Sequence, residues 1–110
     1  MRLSFDLPPS LNSLYRYGRG KVYLSPEGHT YKEYVRLLAT HQGATIMEGA
    51  LAVSLWFYNS RMDSDNGQKV LLDSLQGIAY HNDAQIIELH IYKRQDEDEP
   101  RVDIEIERLS

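Results

Sequence analysis

The chain has 110 residues, a formal net charge of −4 and a composition 42% hydrophobic and 25% charged, which describes one globular domain over residues 1–110 with a single core. It has no cysteine, which excludes a disulfide framework and a thiolate zinc site. No apolar run approaches the ~20 residues that span a bilayer and no signal-peptide pattern opens the chain, so the expected setting is the cytoplasm, with no membrane partner.

Leu3, Phe5 and Leu7 alternate with polar residues, the period of a half-buried strand, and Pro8-Pro9 ends it because proline cannot donate to a ladder. In the next segment Arg16, Arg19 and Lys21 interleave with Tyr15, Tyr17 and Tyr23, and two glycines keep the backbone mobile. Cations for phosphates and ring faces for unstacked bases suit a nucleic-acid contact loop. The same residues read equally well as a polar connector into a short strand over 21–24. Ser25-Pro26-Glu27 is a helix start, with an N-cap hydroxyl, proline at the first helical position and an acid at the positive end of the dipole. Tyr31, Tyr34, Val35 and Leu38 then recur at helical spacing, predicting a helix over roughly 26–42 whose opposite face, with Lys32 and Arg36, is solvated.

Leu51, Val53, Leu55 and Phe57 alternate with Ala52, Ser54, Trp56 and Tyr58, so both faces are largely apolar, as in a central strand covered on each side. An acidic motif follows directly. Asp63 and Asp65 stand two apart, and in extended chain such residues project to the same side and can converge on one cation. Val70, Leu71, Leu75 and Ile78 supply the buried stripe of a second helix, with Asp65, Lys69, Asp73 and Gln76 on its other face. Lys69 and Asp73 also form an i,i+4 pair, which as a surface salt bridge would be worth only ~0.3–0.5 kcal/mol. Beyond a glycine stop another carboxylate appears at Asp83. Two more strands follow, Ile87-Leu89-Ile91 and Val102-Ile104-Ile106, with the charged run over 93–100 reading as an exposed hairpin loop. The order β-β-α-β-α-β-β predicts an α+β fold with two helices on a mixed sheet of about five strands.

Spacing tests the chemistry of the acidic motif. A calcium loop starting at Asp63 needs glycine at its sixth position and glutamate at its twelfth, and Gln68 and Ser74 stand there. Asn66-Gly67 is a hairpin-turn dipeptide, but V-L-L-D-S-L beyond it lacks strand alternation. The four histidines show no H-x-x-x-H spacing. What remains is an all-oxygen, carboxylate-rich site suited to Mg²⁺ or Mn²⁺, with Lys69 as a nearby positive charge: the parts needed to neutralise a phosphoryl group under attack. Charge is also unevenly spread. Residues 1–61 hold seven Lys+Arg and four Asp+Glu, a net +3, and residues 62–110 hold five and twelve, a net −7. That asymmetry hints at a polyanion-facing surface.

The opening L-P-P-S-L-N-S-L-Y-R and the central M-D-S-D-N-G-Q-K-V-L-L-D-S-L-Q-G-I-A-Y-H-N-D-A-Q-I resemble the two signature segments of the RusA family of Holliday junction resolvases. The resemblance implies a homodimeric, Mg²⁺-dependent endonuclease acting in DNA recombination and repair, often phage-encoded, that makes paired symmetric cuts in four-way junction DNA. By position it implies metal binding and catalysis by Asp63, Asp65 and Asp83, with Lys69 as the catalytic lysine. This chain departs from the pattern at Met62, where proline is usual, at Gly67, where a better helix former is usual, and at Asn82, which replaces the first acid of a D-D pair. Two other readings remain open: a catalytically weak junction-binding protein of the same fold, and a metal-dependent phosphoesterase acting on a small substrate.

Overall fold

The computed structural model describes residues 1–60, 67–95 and 99–109. In chain order the elements are β1 (Arg2–Phe5), α1 (Leu11–Leu14), β2 (Tyr15–Gly18), β3 (Lys21–Leu24), α2 (Pro26–His41), β4 (Leu51–Tyr58), α3 (Gln68–Leu75), a 3-10 turn (Asp83–Gln85), β5 (Ile86–Arg94) and β6 (Arg101–Arg108). Four strands form a mixed sheet in the order β1-β6-β4-β5, and β2 and β3 pair separately as a hairpin. The expected α+β architecture therefore holds, with two additions: the one-turn helix α1 and the strand β2.

The core lies between one face of the four-stranded sheet and helices α2 and α3. Leu51, Val53, Leu55 and Phe57 of β4, Val102, Ile104 and Ile106 of β6, and Leu3 and Phe5 of β1 are all buried and pack with Tyr31, Val35 and Ala39 of α2 and Val70, Leu71 and Leu75 of α3. The other face of β4, including Trp56 and Tyr58, is only half-buried. No described helix covers it, so the strand is not enclosed on both sides as its apolar alternation predicts.

Strand pairing corrects a second expectation. β5 runs parallel to β4 on one side, and β6 runs antiparallel to it on the other. The segment between β5 and β6 is thus not a hairpin; it joins strands on opposite flanks of β4. Local hydrophobic pattern carries no information about which strand becomes a neighbour, and a turn-rich run between two strands reads as a hairpin by default. The β4–β5 register also shifts between Leu51 and Ala52, which pair with Ile86 and Glu88, so Ile87 is an unpaired bulge residue and is 65% exposed.

α2 begins where the N-cap signal places it. Ser25 Oγ accepts from the Gly28 N–H at 2.9 Å and donates to the Ser13 carbonyl, while the Ser25 N–H bonds the Leu14 carbonyl at 2.8 Å. A Cβ at Gly28 would lie 2.5 Å from that same Leu14 oxygen, so the missing side chain lets α1 seat on the first turn of α2. Tyr31 Oη donates to the Asp6 carbonyl at 2.7 Å, and Tyr34 Oη accepts from the Asp6 N–H at 2.9 Å. These two bonds fix the chain leaving β1, and they carry Pro8 to the start of α3. A Cβ at Gly67 would stand 2.3 Å from Pro8 Cγ and 3.4 Å from Phe57 Cε1. The glycine found where a better helix former is usual is therefore a steric requirement, not a weakness in the helix. Gly67→Ala is expected to destabilise the fold by about 1–3 kcal/mol through overpacking, despite alanine's better helix propensity, as measured by urea unfolding. A stabilised variant would show that Pro8 yields freely.

Candidate active site

Asp63 and Asp65 lie outside the described residues. The site is therefore built here from the helix that follows them and from the turn carrying Asp83.

Burial of Val70, Leu71, Ser74 and Leu75 against the core turns Lys69, Asp73 and Gln76 to the opposite side of α3. The helix ends at Leu75, earlier than predicted, and Gly77 with φ +82° turns the chain, leaving Ile78 in the turn and not on the helical stripe. Lys69 and Asp73 form no ion pair among the described residues. Instead the Lys69 ammonium lies over the ring of Tyr15, 5.8 Å from its centroid. The surface salt-bridge reading of these two residues is thereby removed. Asp73 makes itself felt on two phenols: Tyr15 has its pKa raised by burial and then by the Asp73 charge, and Tyr80 is pushed up by burial, then by Asp83, then by Asp73. Lys69, Tyr15, Asp73, Tyr80 and Asp83 thus form one continuous electrostatic neighbourhood. Tyr80 is held neutral in it, donating to the Leu72 carbonyl at 2.5 Å.

The backbone at Asp83 is fixed by its neighbours. Asn82 caps the 3-10 turn, its Oδ1 accepting from the Ala84 N–H at 2.8 Å. Gln85 closes the box, its Oε1 accepting from the His81 and Asn82 N–H groups at 2.8 and 3.0 Å while its Nε2 donates to the Met47 and Gly49 carbonyls. Gln76 Oε1 accepts from the Asp83 N–H itself at 2.8 Å. The Asp83 carboxylate remains exposed and makes no hydrogen bond among the described residues. Asn82, in the sequence a lost acid, here serves as a cap that aims the acid after it. The motif N-D-A-Q carries this signal, since Asn followed three residues later by Gln is a capping-box pattern.

Arg36 corrects another expectation. It does not sit on a solvated face: its Nη1 donates to the carbonyls of Ser74 and Gln76 at 3.0 and 2.7 Å. A cation on the free carbonyls at a helix C-terminus satisfies them and complements the dipole. It thereby anchors the residue whose side chain holds Asp83. Nothing in the spacing of α2 points to this role.

The basic segment is a β-hairpin, not a mobile loop. Gly18 pairs with Lys21 across a two-residue turn in which Arg19 and Gly20 both have positive φ, +52° and +73°. That backbone matches the twist of a hairpin, which explains Gly20. Pairing of Arg16 with Tyr23 places Arg16, Lys21 and Tyr23 on one face of the hairpin, while Tyr15 and the 72%-exposed Tyr17 lie on the other, the face that meets Lys69. Arg16 also donates to the Asn12 carbonyl at 3.1 Å. The three cations project from an element rooted beside Lys69.

Among the described residues no group of three His, Asp or Glu side chains could hold a metal ion. Asp83 is the one described member of the expected carboxylate set. Its donor chemistry fits a hard cation: an exposed carboxylate oxygen with no competing hydrogen bond, on a backbone pinned from both sides.

The family model described as Endodeoxyribonuclease RusA matches residues 6–107. The chain belongs to the RusA family. A relative from Enterobacteria phage 82, named Crossover junction endodeoxyribonuclease rusA, is 30% identical over 98 residues, covering 83% of this chain and 80% of its own. Relatives of the same name from Shigella sonnei strain Ss046 and Escherichia coli strain K12 are each 27% identical over 99 residues, with the same coverage. The RusA match takes in the hairpin, α3 and the Asp83 turn.

The electrostatics give a pH dependence. Tyr15, Tyr31 and Tyr80 all have raised folded-state pKa values, chiefly from burial. The stability carried by their neutral phenols is complete below the unfolded value of ~10 and is lost as pH rises past it. In an alkaline titration followed by tyrosinate absorbance and circular dichroism, at least three of the eight tyrosines should ionise late and together with unfolding. Smooth titration of all eight near pH ~10 in a still-folded protein would contradict this.

Proposed function

We propose that this protein is a Mg²⁺-dependent endodeoxyribonuclease that resolves four-way DNA junctions by symmetric paired cuts, acting as a homodimer in the cytoplasm. The observation that carries the reading is the placement, in a RusA-family chain, of Lys69 and the exposed Asp83 in one electrostatic neighbourhood with a basic hairpin rooted beside it. Relatives covering most of the chain are named as crossover junction endodeoxyribonucleases.

Asp63, Asp65 and Asp83 would hold the cation through carboxylate oxygens, the ligand type that Mg²⁺ and Mn²⁺ prefer. Bound there, a divalent cation supplies Lewis-acid charge at a phosphodiester and lowers the pKa of water. The chain's own residues do the rest. Lys69, on a rigid helix and steadied over Tyr15, offers a preorganised positive charge to the phosphoryl oxygens as their charge is redistributed. Gln76 and Asn82 hold Asp83 in place by hydrogen bonds to its turn. Arg16, Arg19 and Lys21 on the hairpin contact flanking phosphates and set the register of the substrate. One such site cuts one strand, so resolution calls for two sites related by the two-fold symmetry of the junction.

Lys69→Ala is expected to lower single-turnover cleavage of a four-way junction by ~10²–10³, leaving junction affinity and the Mg²⁺ requirement near wild type. Asp83→Asn should abolish cleavage while junction binding survives. A linear duplex of the same sequence should stay uncut. If wild-type protein binds the junction and leaves it intact in Mg²⁺ and in Mn²⁺, it is a binding protein of this fold. If it cleaves the duplex or a small phosphodiester equally well, it is a general phosphoesterase. Replacing Arg16, Arg19 and Lys21 together by alanine should flatten the salt dependence of binding by roughly 0.9 for each phosphate no longer neutralised. An unchanged slope would return the hairpin to a structural role.

A further inference from the structure

The hairpin carries more than its cations. Alternation along its two strands gives it two faces of different chemistry, with Arg16, Lys21 and Tyr23 on one and Tyr15, Tyr17, Val22 and Leu24 on the other. The inner half of this second face is rooted. Tyr15 and Leu24 pair across the strands, and both are half-buried and packed on the core. The outer half overhangs. Tyr17 and Val22 also pair directly, yet they are 72% and 58% exposed. The Tyr17 side chain makes no hydrogen bond or ring contact among the described residues. Two residues of strand span about 7 Å, about two stacked-base rises of one DNA strand, and that step separates Tyr17 from Tyr15, the ring under Lys69. Single exposed apolar residues are ordinary. This pair is contiguous, stands on an arm closed by a tight turn and lies beside the candidate site. Its electrostatic setting also selects a partner: residues 15–24 hold three cations and no acid, which attracts a polyanion. The exposed Ile87 and Leu89, by contrast, flank Glu88.

We propose that Tyr17, with Val22 beside it, stacks on a nucleobase left open at the exchange point of the junction, and so makes the protein select branched DNA over duplex. The inference rests on the junction-cutting function proposed above and names the residue that distinguishes the substrate. Phosphates do not distinguish it, because a linear duplex offers the same backbone charge as a junction arm, and contacts to phosphates set position only. Base stacking does differ. In a continuous duplex each base is covered on both sides by its neighbours. Freeing a base is least costly where stacking is already interrupted, as at the crossing of four arms. An aromatic ring offers such a base a replacement neighbour and is indifferent to which base it meets. Val22, the cross-strand neighbour of Tyr17 on the same face, widens that apolar platform. The hairpin thus divides the nucleotide: the cations of its other face and of its turn serve the backbone, and the Tyr17 face serves the base.

The test is binding of the whole chain, without divalent cation so that nothing is cut, to three kinds of DNA. These are a four-way junction, a linear duplex of the same sequence, and junctions in which one nucleotide at the exchange point is abasic. Tyr17→Ala is expected to weaken junction binding by roughly 5–100-fold and duplex binding by less than about twofold, with the salt slope of wild type because no phosphate contact is lost. Tyr17→Phe, which keeps the ring, should bind like wild type. At one position the abasic junction should weaken wild type by a similar factor and leave Tyr17→Ala unaffected, since ring and base form a single interaction. The proposal is overturned by equal loss on junction and duplex, by a Tyr17→Ala variant that binds like wild type, or by a Tyr17→Phe variant as weak as alanine. Losses from ring and base that multiply at every position also overturn it, as does altered sedimentation of Tyr17→Ala without DNA, which would make the pair a contact between copies. Should Tyr17→Ala not fold, as judged by circular dichroism, Val22→Ser should show a smaller loss, again confined to the junction, and its absence counts against the proposal. Cleavage in Mg²⁺ is assayed separately. A protein that shows the coupled, junction-confined binding and does not cut refutes the functional reading alone. One that cuts junctions while indifferent to Tyr17→Ala refutes this inference alone, and one that binds no junction refutes both.

Discussion

The candidate site depends on one steric fit, that of Pro8 against Gly67. The two hydroxyls of Tyr31 and Tyr34 grip the backbone of Asp6, the chain continues into Pro8, and the proline ring occupies the space where residue 67 would carry a side chain. α3 starts at that point with its buried stripe already in phase with the core. Lys69, one residue past the first turn position, then has only one direction in which to face. The N-terminal proline segment and the start of α3, far apart in sequence, are therefore one mechanical unit.

The far end of α3 is held as firmly. Arg36 satisfies the carbonyls of Ser74 and Gln76, and Gln76 in turn accepts the Asp83 amide. A helix of eight residues has little intrinsic stability, so contacts at its two ends decide where its functional face points. Two elements, α2 and the segment leaving β1, supply both. The geometry of the site is set by groups that lie outside it.

Much of this is legible in the residues. The Ser25-Pro26-Glu27 start, the alternation of Leu51–Tyr58 and the helical stripe of Val70, Leu71 and Leu75 all rest on local periodicity and capping, which the chain writes within a few positions; the joining of Lys69 to Asp83 comes only with the family resemblance. The misses share a cause. That β6 enters between β1 and β4, that Arg36 reaches the end of α3, and that Gly67 must lack a side chain are facts about partners 30 or more residues distant, to which no local pattern refers. The Arg16–Lys21 segment lies between these cases: glycines that read as loosening a loop instead supply the turn of a hairpin. Asn82 reads first as a missing carboxylate, although its spacing to Gln85 already describes a cap.

The position of β6 bears on how the chain reaches this state. β6, which follows the other described strands in sequence, pairs with both β1 and β4, and the Met1 nitrogen donates to the Ile106 carbonyl. Until β6 is made, β1 has no partner and one edge of β4 is bare, so the sheet cannot close during synthesis. Until then the nascent protein carries a hydrophobic, unpaired strand edge. Non-local pairing of this kind also slows folding once the chain is complete. Such a chain closes its sheet only when β6 pairs with both β1 and β4.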